Sequence, residues 1–134
     1  MYACYKSTHF TDLLEKGMMA YNDAKSTEAA SLANYRQAKD YFIQYRQIAP
    51  PTDDFYPSAT LYLAISHLAL KESAQAIPLL ETLTQQNFPQ QLAAQWYLAL
   101  SYIQAEQTET AISILKTLER TEYGEQAKVI LDAF

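Results

Sequence analysis

The chain has 134 residues, of which 49% are apolar and 19% charged, and its formal net charge is −5. A chain of that length is expected to form one domain and to bury about 68% of its unfolded surface, so it needs neither metal nor disulfide to hold a core. One cysteine, two glycines and five prolines exclude a disulfide framework, a cysteine-cluster metal site, a turn-rich β-sandwich and a collagenous or disordered chain.

Charge is spread unevenly. Residues 1–50 carry six basic and five acidic groups, whereas 51–134 carry four and ten. No basic stripe is present to displace counterions from phosphate, which argues against nucleic acid as a partner. The acidic second half would be repelled by anionic lipid. The opening MYACYKST lacks the charged start and apolar stretch of a signal peptide. The uncharged stretch from Thr82 to Ala105 holds six glutamines and Pro89, all costly in hydrocarbon, so no direct membrane insertion by this segment is expected.

In chain order, Phe10, Leu14, Gly17, Tyr21 and Ala24 alternate spacings of four and three and predict a long amphipathic helix over 8–24, behind an aromatic tail Tyr2-Ala3-Cys4-Tyr5. The Ala-rich segment NDAKSTEAASLAN (22–34) extends the next stripe backwards through Leu32 and Ala29, which predicts a second helix over 28–48. Asp53 and Asp54 stand directly before Phe55-Tyr56-Pro57, where acidic residues complement a helix N-terminus. Pro57 and Pro89 are expected in first turns, Ser73 and Thr108 as N-caps, and Pro78 as a late start or a mild kink. A last helix over 123–133 presents Ala127, Ile130, Leu131 and Phe134 on one face.

Internal similarity is the strongest feature. A shift of 35 residues lays 61–83 over 96–118 with nine of 23 positions identical, among them Tyr62/Tyr97, Ala64/Ala99, Ser66/Ser101, Ala76/Ala111 and Leu80/Leu115. Each copy reads as two helices: Trp96, Ala99 and Ile103 form one stripe, and Ala111, Ile114, Leu115 and Leu118 form the other.

These residues resemble the tetratricopeptide repeat, a helix-turn-helix unit of about 34 residues. The later copy matches through Leu98-Ala99-x2-Tyr102 and Ala111-x3-Leu115-x2-Leu118, and the middle copy through Leu63-Ala64-x2-His67, Ala76-x3-Leu80-x2-Leu83 and Pro89. The first copy matches in its second helix, Tyr35-x2-Ala38-x3-Phe42-x2-Tyr45-x4-Pro50, and carries about nine extra residues between Gly17 and Ala38. The resemblance implies an all-α, right-handed α-solenoid of antiparallel helix pairs in a single domain. Its parts are an elongated first hairpin with the N-terminal tail (1–50), a second repeat (55–88), a third (89–121) and a capping helix (122–134).

No constellation for catalysis is present: G-x-x-x-x-G-K-[ST], G-x-G-x-x-G, G-x-S-x-G and H-E-x-x-H are all missing. His67 replaces a tyrosine of the repeat on the packed face, His9 is remote in sequence, and Cys4 has no neighbouring cluster to lower its pKa. Asp53-Asp54 lack the further oxygen ligands and glycine of a cation loop, and Glu106, Glu109, Glu119, Glu122 and Glu125 read as solvated surface. The expectation is a non-catalytic protein with no cofactor and no metal site.

Carried over from the resemblance, an apolar concave groove would be built from Leu61, Ile65 and Ala69 of the middle repeat and Trp96, Leu100 and Gln104 of the later one, flanked by Tyr62 and Tyr97. Such a groove suits a peptide or amphipathic helix of another protein, with Trp96 as anchor; alternatively Trp96 packs between hairpins. The N-terminal tail or a second copy is a competing occupant. The competing function is homodimerisation as a module of a larger, membrane-anchored bacterial protein. Cytoplasm and periplasm both suit the single cysteine.

Overall fold

The computed structural model describes residues 2–26 and 31–134, with side chains from Phe10 onward. It contains α1 (Tyr2–Ser26), α2 (Ser31–Ile48), α3 (Tyr56–Ala69), α4 (Ser73–Thr84), α5 (Gln91–Gln104), α6 (Thr108–Thr117) and α7 (Gly124–Asp132). No strand occurs among the described residues. The helices fall into two compact units, residues 1–72 and 73–134, and the division runs between α3 and α4. No described helix is long and apolar enough to cross a membrane.

In the first unit, α1 and α2 form a long antiparallel hairpin. Phe10 meets Tyr45, and Tyr21 meets Tyr35 edge-on at 6.1 Å between ring centroids. The packed face of α1 runs through Leu13, Gly17, Ala20, Tyr21 and Ala24, and that of α2 through Ala38, Phe42, Tyr45 and Ala49. At Gly17 the two helices come so close that an added Cβ would lie 2.7 Å from Cε1 of Phe42. Glycine is needed here for the close approach of a fully buried ring. α3 then packs on α2: Tyr56 lies near Tyr45 and Tyr62 near Phe42. The buried hydroxyl of Tyr45 donates to the Asp53 carboxylate, which also accepts the Phe55 N–H at 3.3 Å. Burial pushes that phenol well above its usual pKa, and the neighbouring carboxylate adds to the shift.

The second unit gathers α5, α6 and α7 around Ala99, Leu115, Leu118 and Ala127, with Leu92, Trp96, Ile103, Ile114, Ile130 and Leu131 closing the cluster. α4 runs against α5, where Tyr102 donates to Glu81 at 2.5 Å and the Gln91 side chain donates to the Thr84 carbonyl at 2.9 Å. Gly124 lets α7 start close to α6, since an added Cβ would lie 2.3 Å from the Glu119 carbonyl oxygen.

The sequence repeat is also a repeat of hydrogen bonds. After α3, the N–H of Lys71 donates to Leu68 and that of Glu72 to His67; after α5, Glu106 donates to Ile103 and Gln107 to Tyr102. Both are Schellman turns, and both place a non-glycine residue, Lys71 or Glu106, at φ 64°. Ser66 and Ser101, both fully buried, each donate to the carbonyl four residues back, Tyr62 and Tyr97, at 2.8 Å. The small residues Ala38, Ala76 and Ala111 are likewise fully buried, as are Phe42, Leu80 and Leu115. They are the positions at which paired helices approach and the notch is filled.

Several local expectations are corrected. Tyr2–Tyr5 belong to α1, which therefore starts well before residue 8 instead of following a tail. Ala29 lies outside the described residues, as do the side chains of Cys4 and His9. Leu32 is 53% exposed, so the packed stripe of α2 does not reach back to it. Thr108 is the first helical residue of α6; its N-cap is Gln107, which makes no side-chain cap. Ser73 likewise already belongs to α4, which begins there without delay and carries Pro78 inside. Pro57 does occupy the first turn of α3, whereas Pro89 precedes α5 by two residues in the connecting turn. Phe55, not an aspartate, is the N-cap of α3, because Asp53 turns back to Tyr45 and to the Phe55 N–H. Phe134 ends exposed, away from the face that Ala127, Ile130 and Leu131 bury.

Candidate functional site

Two features of the first unit stand apart from its core. The first is an apolar pocket of about 500 Å³ between α1 and the start of α3. Leu14, Glu15, Met18 and Met19 form one wall, and Phe55, Ser58, Ala59 and Tyr62 form the other. The pocket exists because α1 and α3 both rest on α2 and approach each other at Tyr21 and Tyr62, whose rings are 4.9 Å apart. Toward the N-terminus of α3 the two helices leave a cleft. Met19 is 66% exposed and Phe55 60% exposed at its edges. Glu15 is an exposed carboxylate on the same wall.

The second feature is polar. Nδ1 of His67, on the buried face of α3, lies 2.9 Å from Oε1 of Glu72, and Nζ of Lys39 on α2 lies 3.4 Å from the same oxygen. The hydrogen bond with His67 holds the Glu72 carboxyl below its ordinary range, and Lys39 adds to this. All three groups are occupied with one another. The arrangement ties α2 to the end of α3. Among the described residues, no three His, Cys, Asp or Glu side chains gather as a metal ion would need.

Of the groove residues expected from sequence, Tyr62 lines the pocket. Leu61 and Ile65 are buried, and Ala69 is partly covered. In the second unit Trp96 is half-buried and stacks on Tyr123 at 5.3 Å with an interplanar angle of 13°, while also packing on the core of that unit. Tyr97, Leu100 and Gln104 are partly exposed along α5. Sequence reasoning missed Met18, Met19 and Phe55. The signal available was an apolar Met-Met pair on either side of the α1 stripe and a phenylalanine at a helix start, where a capping residue is usual. The second unit carries its own shallower concavity of about 470 Å³, lined by Thr84, Gln85, Gln95, Leu98, Ser113, Ile114 and Thr117.

Packed antiparallel hairpins, with one buried pattern and one turn geometry recurring along the chain, define a helical-repeat protein. Residues 93–121, from within α5 to beyond α6, match the family model of the tetratricopeptide repeat. The architecture is all-helical and resembles that of tetratricopeptide-repeat proteins. None of the curated proteins compared matches the chain. Tetratricopeptide repeats generally mediate protein–protein interaction and form a non-catalytic fold.

Proposed function

We propose that the protein is a non-catalytic interaction module that takes an apolar anchor from a helix of another protein into the pocket between α1 and α3. The observation that carries this reading is the exposure of Met19 and Phe55 together at the rim of an apolar pocket. Neither residue is needed to close the core. Phe55 sits at an N-cap without making a cap, so a large apolar side chain brings no local stability there. Departures from a local rule concentrate at functional or strained sites. Met18 and Met19 add flexible, polarizable side chains suited to reshaping around a ligand. The half-exposed face of α5, with Trp96, Tyr97, Leu100 and Gln104, is a second contact surface in this reading.

Capture from a cell extract tests it, with wild type compared against the Phe55→Ser/Met19→Lys double variant after both show equal helicity. A protein held by wild type and lost from the double variant supports the pocket; equal capture by both overturns it. Leu100→Lys in the same experiment reports whether α5 takes part. The competing reading is homodimerisation through the first hairpin, favoured by the exposure of Leu32 on α2. Light scattering that shows monomer at high concentration disposes of it.

A further inference from the structure

The walls of the pocket are apolar, but its rim is acidic. Glu15 lies on the α1 wall one helical turn from Met18 and Met19. Asp54 is exposed directly before Phe55 on the opposite wall. Neither carboxylate forms an ion pair among the described residues. Nζ of Lys16 lies 3.1 Å from Asp12, and the Arg46 guanidinium lies over the Tyr56 ring at 5.3 Å from its centroid. Asp53 is held by Tyr45 and by the Phe55 N–H. Two free carboxylates beside an apolar cleft repel an acidic ligand and attract a basic one.

We infer that the occupant is a basic amphipathic helix of a different protein, inserting one large apolar side chain between Met19 and Phe55 while a Lys or Arg about one turn away pairs with Glu15 or Asp54. This rests on the pocket being the binding site, as proposed above, and adds the charge of the partner. The apolar anchor supplies most of the affinity. Each exposed ion pair contributes only about two- to fivefold, and its larger effects fall on selectivity and on the rate of encounter.

The test is a display library of short amphipathic helices, with both charged and apolar positions varied, selected against the full chain and followed by affinity measurement on single peptides. The expected result is enrichment of one apolar anchor with Lys or Arg three or four positions away. Binding should weaken with added salt, fall about two- to fivefold for Glu15→Gln, and shift toward acidic flanks for the Glu15→Lys/Asp54→Lys variant. Asp40→Lys, an exposed site on α2 outside the pocket, should leave the selection unchanged. Apolar anchors without charge preference, or with acidic flanks, overturn the inference while leaving the pocket standing. Peptides bound equally by Phe55→Ser/Met19→Lys overturn the pocket as well. An absence of any enriched peptide, or a dimer of the chain that the double variant dissolves, overturns the inference too.

Discussion

Gly17 and the two residues at φ 64° show how single positions carry the fold. An alanine at Gly17 would add about 1 kcal/mol of helix propensity, yet its Cβ would stand 2.7 Å from a ring that is fully buried. Overpacking of that kind costs about 1–3 kcal/mol, so the clash wins. Gly17→Ala is expected to lower the urea midpoint, and Gly17→Leu to lower it further. The opposite sign holds at Lys71 and Glu106. Each occupies the left-handed region that glycine adopts freely, so Glu106→Gly is expected to stabilise by about 0.5–1 kcal/mol. Urea unfolding measures both substitutions, and a destabilised Glu106→Gly would contradict the turn geometry.

At the scale of elements, the hairpins are tied by side-chain hydrogen bonds whose protonation is shifted in known directions. The Tyr102 hydroxyl between α5 and α4 is pushed up to about 12, first by its bond to Glu81 and then by burial. A pKa raised above the unfolded value near 10 favours the neutral phenol in the folded state. Its stabilisation is therefore complete below pH 10 and lost as pH rises from there toward 12. Tyr102→Phe should be less stable than wild type at pH 8, with the gap narrowed by about half at pH 11. Denaturant midpoints at the two values check this, and a constant gap would contradict the bond. Glu72 behaves with the opposite sign. Its carboxyl is lowered, chiefly by the hydrogen bond with His67, so its contribution is present at neutral pH and lost as pH falls through the lowered value. Glu72→Gln should flatten the acid limb of the stability curve, and an unchanged acid limb would contradict the tie.

Across the whole molecule, the repeat was legible in sequence because packing between paired helices fixes residue size at few positions. Ala76 and Ala111, Leu80 and Leu115, and Leu83 and Leu118 are all buried where the 35-residue shift places them. The termini of elements were less legible. Ser73, Thr108 and Pro89 are good capping or first-turn residues by type, but the chain begins its helices one or two residues away, on Schellman turns and backbone bonds that no side chain announces. The candidate site was legible only at Tyr62. Leu14, Met18, Met19 and Phe55 come together because α1 and α3 share α2 as a support, and that proximity depends on the length of the first hairpin, not on the repeat pattern. A surface built outside the repeat consensus has no consensus to betray it.

Site-specific photo-crosslinking in a cell extract asks whether the cleft between α1 and α3 receives another protein. A benzophenone amino acid replaces Met19 in one sample and, as a control, the exposed Asp40 of α2 in another. A discrete adduct with a different protein is expected at position 19, absent at position 40 and abolished when Phe55→Ser is added. Adducts that are identical at both positions, or that contain only a second copy of the chain, would contradict it.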